Sequence, residues 1–166
     1  MGRRLPFDPV AEARRRWVEH GWADAAPGMA AVTSLMRAQQ IVSARVEEVL
    51  RPHGLTFARY EVLMLLVLSS RGTLPMVRIG ERLQVHPASV TNAVDRLEGQ
   101  RFVERTPHPT DRRTTLVGIT ETGRAVAGRA TDELNATVFA EPGLAPHDVE
   151  QLVDVLTRMR ADAGDF

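Results

Sequence analysis

Residues 85–123 read VHPASVTNAVDRLEGQRFVERTPHPTDRRTTLVGITETG, and this stretch decides the fold of the chain. Its first part carries apolar residues at a helical spacing, which places them on one face of a helix over residues 87–99. These apolar residues are Val90, Val94 and Leu97. Pro87 suits the first turn of that helix, because its missing N–H would be unpaired there in any case. A shorter helix is predicted just before it, over residues 77–83, so the pair predicts a helix-turn-helix.

Two strands are predicted after this helix. Residues 102–105 and 115–119 alternate in part between apolar and polar side chains, as half-buried strands do. The segment 107–111 between them is PHPTD, which is turn chemistry. The helix-turn-helix and this hairpin together predict a winged helix-turn-helix lobe over residues 55–119.

Longer helices are predicted on both sides of the lobe. Asp8 is suited to cap a first helix, and a second helix is predicted over residues 29–51, with residues 25–28 as the connection. After the lobe, Thr120 is suited to cap a helix that extends to about residue 139, and a last helix covers residues 146–162. The fold class is therefore mainly α with a β-hairpin wing.

The outer helices carry apolar faces that so small a lobe is unable to cover. We therefore expect residues 8–51 and 120–162 to be mainly dimerisation helices that pack against a second copy of the chain. Residues 1–7 are expected to be disordered, and residues 8–166 to form one domain.

Composition excludes several classes of function. The chain has no cysteine, which removes disulfides, thiolate zinc sites and thiol redox sensing. Its five histidines are scattered, so neither a metal nor another cofactor is expected. No catalytic motif of a nucleotide-binding enzyme, a serine hydrolase or a zinc protease is present, so we expect no enzyme activity. No apolar run approaches the roughly 20 residues of a membrane span, and no signal peptide is recognisable, so a cytoplasmic location is expected.

The signature of residues 85–123 resembles that of the MarR family of transcription regulators. The matching motifs are S-V-T and D-R-L-E in the helix, F-V-E-R at the first wing strand, D-R-R after the wing tip, and I-T-x-x-G. Residues 55–63 also match, and the resemblance covers about residues 29–160. It implies a homodimeric regulator, by default a repressor, that places two recognition helices in successive major grooves of double-stranded operator DNA. The half-sites of its pseudo-palindromic operator would lie about 10 base pairs apart.

Candidate DNA-binding residues lie in the helix and in the wing. Short and amide or guanidinium side chains that point away from the apolar face suit base-edge contacts. In the helix these candidates are Pro87, Ser89, Thr91, Asn92 and Arg96. Pro87 would also leave free N–H groups nearby for a phosphate. The alternative is an ordinary exposed amphipathic helix.

For the wing, the resemblance implies that Arg113 enters the minor groove and that Asp111 orients it. Arg112 and His108 are further candidates, and a surface ion pair is the alternative interpretation. Many family members have glycine near the end of the helix, where this chain has Gln100 and Arg101. We therefore expect the preceding residue, Gly99, to serve as the cap of the helix instead.

The N-terminal extension resembles the urate-responsive branch of the family, which uses a tryptophan, an acid and two arginines. Trp17, Glu61 and Arg105 match three of these positions, while the second arginine falls on Ala93. A related branch responds to carboxylic acids. We therefore expect a small organic anion as effector, which would displace Glu61 from Arg105, with Trp22 as a further ligand candidate. The alternatives are that Trp17 packs between helices and that Glu61 and Arg105 form a structural ion pair.

A second function class stays open. The formal net charge of the chain is zero, which argues against a general nucleic-acid coat and is compatible with a winged-helix interaction module that does not bind DNA. Arg96 and the D-x-R motif at residues 111–113 favour DNA binding instead.

Overall fold

The computed structural model describes residues 5–111 and 113–166. Of the segment predicted to be disordered, residues 1–4 lie outside the described residues, and residues 5–7 form neither helix nor strand. The chain divides into two compact units, Met1–Phe57 and Ala58–Phe166. Among the described residues, no helix combines the length and the apolar character that a bilayer crossing requires.

The first unit begins with helix α1 (Pro9–Glu19). The amide of Val10 donates to Asp8 Oδ1 at 2.9 Å, which confirms the predicted cap. The helix ends before Gly21, whose φ of 86° lies in the left-handed region that favours glycine. Local chemistry therefore defines both ends of α1.

Helix α2 (Ala26–Leu50) starts earlier than predicted. Residues 25–28 are predicted to form a connection, but Pro27 lies within the first turn of α2, where its missing N–H costs no hydrogen bond. A short 3-10 turn, Arg51–His53, follows the helix. Along α2 a set of large apolar side chains is at least one-third exposed in the single chain: Val32, Leu35, Met36, Ile41 and Val42.

The second unit confirms the predicted order of helix-turn-helix, hairpin and helices. Its elements are α3 (Phe57–Leu68), whose first residue is the boundary residue, β1 (Thr73–Pro75), α4 (Met76–Leu83), α5 (Pro87–Gly99), β2 (Val103–Pro107), β3 (Thr115–Ile119), α6 (Glu121–Leu134) and α7 (Pro146–Asp162). The helix predicted to reach residue 139 is α6 followed by a π-helical turn, Asn135–Phe139.

The wing is a sheet of three antiparallel strands in the order β1-β3-β2. The hairpin of β2 and β3 is as predicted, with Arg105 opposite Val117. The extra strand β1 pairs with the other edge of β3, so that Thr73 lies opposite Gly118. β3 is therefore paired on both sides, which holds the wing against the helix-turn-helix.

The core of the second unit lies behind α5. Val90, Val94 and Leu97 are 3%, 0% and 0% exposed, which confirms the predicted inward face of this helix. The other large side chains that are fully buried in this unit come from five elements: Val62, Leu63 and Leu66 of α3, Ile79 of α4, Val103 of β2, Val117 of β3 and Leu134 of α6.

Hydrogen bonds connect residues 101–102, which precede the hairpin, to the start of α6, which follows it. The amide of Gly123 donates to Thr120 Oγ1 at 3.0 Å, which confirms the predicted cap. The amide of Thr120 donates to Phe102 O at 3.0 Å, and its hydroxyl donates to Arg101 O at 2.8 Å. A Cβ at Gly123 would lie 2.0 Å from Phe102 O, so only glycine fits there. The I-T-x-x-G motif thus connects the residues just before β2 to the residues just after β3.

The end of α5 differs from the expectation. Gly99 remains inside the helix, and Arg101 adopts the left-handed conformation with a φ of 62°. The amide of Phe102 donates to Leu97 O and that of Arg101 to Glu98 O, each at 2.9 Å. These are the two hydrogen bonds of a Schellman motif, in which the left-handed position is usually glycine. The helix thus ends at Gly99, as predicted, but the expectation that Gly99 serves as its cap is wrong, because Gln100 and Arg101 form the cap.

Candidate nucleic-acid interface

Helix α5 turns a polar face to solvent. Ser89, Thr91, Asn92 and Arg96 are all exposed, on the side of the helix away from the core. The Thr91 hydroxyl donates to Pro87 O at 3.1 Å, a bond within the helix. Among the described residues, the side chains of Ser89, Asn92 and Arg96 have no hydrogen-bond partner. Three polar side chains are therefore available to an external ligand.

His86 closes the N-terminus of α5 and was not singled out from the sequence. The amide of Ala88 donates to His86 Nδ1 at 3.2 Å. The amides of Ser89 and Val90 donate to His86 O at 2.8 and 3.3 Å. The expectation that free N–H groups follow Pro87 is therefore wrong for these three amides. Histidine is not among the preferred capping residues, so the pattern carried little signal for this role.

The tip of the wing is built around Asp111. Its Oδ1 accepts from the Arg113 amide at 3.0 Å and its Oδ2 from the Thr114 hydroxyl at 2.7 Å. These hydrogen bonds hold the pKa of Asp111 below its usual range, and the bond from Thr114 has the larger effect. On the other side, His108 Nδ1 accepts from the amides of Thr110 at 3.4 Å and Asp111 at 3.3 Å. Asp111 and His108 therefore shape the backbone of the tip.

Arg113 projects from this ordered tip. Its side chain is exposed, and no described residue forms an ion pair with its guanidinium. Asp111 contacts Arg113 through the backbone amide rather than through the guanidinium, so it orients the residue indirectly. Arg112, the neighbouring candidate, lies outside the described residues.

Arg105 ties β2 to α5. Its guanidinium bonds to Glu98 and, at 2.5 Å, to Asp95 Oδ1, while its amide donates to Glu98 Oε1 at 3.2 Å. Partial burial alone would lower the pKa of Arg105, but the hydrogen bonds to Asp95 and Glu98 outweigh it and raise that pKa. The expected partner was Glu61. That side chain is half-buried, burial raises its pKa, and no described residue pairs with it.

Arg59 of α3 is a further candidate, which is not predicted from the sequence. It lines a cavity of about 400 Å³ together with Asp95, Arg96, Gly99 and Gln100 of α5 and its cap. Arg59 Nη1 donates to Gln100 Oε1 at 3.4 Å. The cavity thus carries two guanidinium groups and one carboxylate. Arg59 is 41 positions from Gln100 in the chain, so no spacing pattern could have indicated the contact.

The two tryptophans predicted as ligand candidates lie in the first unit. The ring centroids of Trp17 and Trp22 are 4.9 Å apart with an interplanar angle of 61°, and His20 stacks on Trp22 at 5.6 Å. Asp24 lines the same cavity as both indoles, and no arginine does. The carboxylate of Asp24 gives this cavity a negative charge, whereas a pocket for an anion is expected to be positive. Within residues 5–111 and 113–166, no three histidine or acidic side chains are grouped as metal ligands.

Comparison with known proteins gives consistent matches. The family model described as the MarR family matches residues 55–115 of this chain. The HTH-type transcriptional regulator MhqR of Bacillus subtilis is 29% identical over 133 residues, which cover 80% of this chain and 90% of MhqR.

Solved structures extend the match. Sco5413, a MarR family transcriptional regulator from Streptomyces coelicolor, is 48% identical with a TM-score of 0.76, over 84% of this chain and 97% of Sco5413. A point mutant of MarR from E. coli, solved in complex with operator DNA, is 25% identical with a TM-score of 0.70, over 76% of this chain and 91% of that one. These relatives are transcription regulators, not enzymes.

Proposed function

Because this chain belongs to the MarR family of DNA-binding transcription regulators, we propose that it binds a pseudo-palindromic operator as a homodimer and represses transcription. The observation that carries the proposal is the exposed polar face of α5. Ser89 and Asn92 are small enough for close approach to a major groove, and the Arg96 guanidinium suits guanine or phosphate. The proposed partner, chromosomal DNA, makes the cytoplasm the proposed place of action.

The wing supplies the second proposed contact. Arg113 stands on a tip whose backbone is held by Asp111 and His108, so its guanidinium is presented from a defined position. A narrow minor groove concentrates negative potential and attracts arginine. Arg112 and Arg59 are proposed as additional phosphate contacts.

Homodimerisation is proposed from apolar surface that the single chain leaves exposed. On α2 these are the five side chains named above, and on α7 Leu152, Val153, Val155 and Met159 are each 43% to 56% exposed. A second copy related by a two-fold axis would cover such faces. Residues 8–51 and 120–162 are thus the proposed dimerisation helices, and the axis would set the two α5 helices about one turn of DNA apart.

The test is selection of genomic fragments with the purified chain, footprinting of the best fragment, and charge-removing variants. Arg96→Ala and Arg113→Ala are each expected to weaken operator binding by about 1–3 kcal/mol if they contact bases, or to lower the salt dependence if they contact phosphate. Arg71→Ala is the matched control, since this exposed arginine lies outside α5, outside the tip of the wing and outside the helices proposed for dimerisation. Wild-type affinity in the Arg96 and Arg113 double variant would refute the assigned DNA surface.

A winged-helix interaction module is the second candidate, favoured by the zero net charge of the chain. The same selection separates the two. If no fragment is enriched even at low salt, where phosphate contacts are strongest, the result favours the interaction module over a DNA-binding regulator.

We further propose that a small organic anion, urate-like or a carboxylic acid, weakens operator binding. An anion at Arg105 would displace Asp95 or Glu98 and loosen the tie between α5 and β2. Glu61, unpaired and half-buried among the described residues, stays a candidate ligand residue. The test is a titration of the operator complex with urate, citrate and benzoate at constant ionic strength. Unchanged operator affinity across the series would reject an anionic effector.

A further inference from the structure

The turn after α1 brings together both tryptophans of the chain. The amide of Gly21 donates to Val18 O and the amide of Trp22 to Trp17 O, each at 3.0 Å. With the positive φ of Gly21, these are the two hydrogen bonds of a Schellman motif. An apolar contact commonly accompanies this motif at the two positions that Trp17 and Trp22 occupy here. The backbone of the helix end therefore holds the two indoles in contact.

The indoles offer more surface than a helix cap requires. Trp22 is 53% exposed, although its ring already contacts Trp17. The two rings, with Gly21, Asp24 and Ala25, line a cavity of about 440 Å³ that we call the indole cavity. A Cβ at Gly21 would meet nothing within 4 Å, so the space beside the rings is open.

The charge of the indole cavity is uncompensated. Asp24 has neither a hydrogen bond nor an ion pair from its side chain within the part of the chain that the structure describes. The acids of α1 differ, since Glu12 and Glu19 pair with Arg15 and Arg16. Indole faces carry negative electrostatic potential and attract cations within about 6 Å of the ring centroid. The two indoles and the unpaired carboxylate of Asp24 therefore all favour the binding of a cation.

We propose that the indole cavity binds a small organic cation of the quaternary ammonium class. Such a cation has no N–H to donate, so ring faces and a carboxylate satisfy it without further acceptors. The cavity has room for a choline-sized molecule. An anion would be repelled by Asp24. The site lies within the first unit and does not depend on operator binding.

The test uses intrinsic tryptophan fluorescence of the full chain, because both tryptophans line the cavity and no other residue of that type contributes. Choline is titrated against its neutral isostere 3,3-dimethylbutan-1-ol, with sodium chloride keeping the ionic strength constant. Saturable quenching by choline is expected, with affinity at least about fivefold higher than for the isostere. Equal responses to the two probes would overturn the proposal.

Asp24→Asn is expected to weaken choline binding by roughly three- to tenfold, because it removes the charge and keeps the shape. The matched control is Glu48→Gln, which removes an exposed acid of α2 outside the cavity and should leave the affinity unchanged. An equal loss in both variants would show a nonspecific charge effect and refute the site. The proposal is likewise overturned if fluorescence varies with protein concentration and no cation changes it, since a second copy would then cover the rings.

Discussion

Gly123→Ala tests whether the junction between the wing and α6 depends on close backbone contact. The added Cβ would lie 2.0 Å from Phe102 O and 2.9 Å from Phe102 C. A carbon atom normally approaches a carbonyl oxygen to about 3.3 Å. The backbone at Phe102 must therefore separate from α6 by roughly 1 Å, which is enough to break the hydrogen bonds that converge there.

The magnitude follows from those bonds. The amide of Thr120 donates to Phe102 O, and its hydroxyl donates to Arg101 O. Two lost hydrogen bonds at about 1–1.5 kcal/mol each amount to about 2–3 kcal/mol. Alanine returns up to about 1 kcal/mol through its higher helix propensity. The free energy of unfolding is thus expected to fall by about 1–2 kcal/mol.

The assay is urea unfolding followed by circular dichroism, at one protein concentration because oligomer stability depends on it. The matched control is Gly128→Ala on the same helix, where an added Cβ meets nothing within 4 Å. It is expected to gain about 0.5–1 kcal/mol. The two alanines should therefore move the midpoint in opposite directions. If both raise it, steric closure at Gly123 is the wrong explanation for the motif.

Four further predictions concern stability and use the same assay. Arg101→Gly relieves a left-handed residue, so it should raise the free energy of unfolding by up to about 1 kcal/mol. Gly99→Ala, inside α5 with open space around it, should raise it by a similar amount, and a loss in either variant would contradict the helix end described above. Tyr60→Phe removes the 2.9 Å hydrogen bond between the phenol and Thr131 Oγ1, with an expected loss of about 1 kcal/mol; no loss would mean that the bond is absent in solution. Because burial raises the pKa of Glu61, the native state favours its protonated form. That stabilisation is present below the unfolded pKa of about 4.3 and is lost as pH rises through the higher native value. Glu61→Gln should therefore raise the urea midpoint at about pH 7 and leave it unchanged at about pH 4, and a pH-independent difference would contradict the assigned cause.

Structural features that follow from a periodic sequence pattern were predicted correctly, whereas contacts between residues far apart in the chain were not. The spacing of Val90, Val94 and Leu97 was sufficient to place the core face of α5, because a helix converts spacing directly into direction. The pairing of β1 with β3 was not predicted, because it depends on tertiary placement rather than on a local pattern. The start of α2 was missed because a proline was interpreted as part of a connection, although the first helical turn tolerates it.

The candidate site divides in the same way. Exposure of Ser89, Asn92 and Arg96 follows from the helix period, so the outward face was predictable. The partners of Arg105 were not, because Asp95 and Glu98 are as plausible from sequence as Glu61, and the geometry of β2 against α5 decides between them. The family signature gave the candidate residues of the wing, and the structure adds that Asp111 bonds to the backbone amide of Arg113 and the hydroxyl of Thr114.

The bonds of Arg105 to Asp95 and Glu98 have a consequence for the spacing of the two proposed DNA contacts. Because the side chain of Arg105 connects β2 to α5, the distance between this helix and the wing is fixed. If α5 and the tip contact DNA as proposed, the base pairs under the two would have a fixed separation, and an inserted base pair between them would put one of the two contacts out of phase. Selection on operator sequence would in that case act on distance along the duplex as strongly as on the identity of any base.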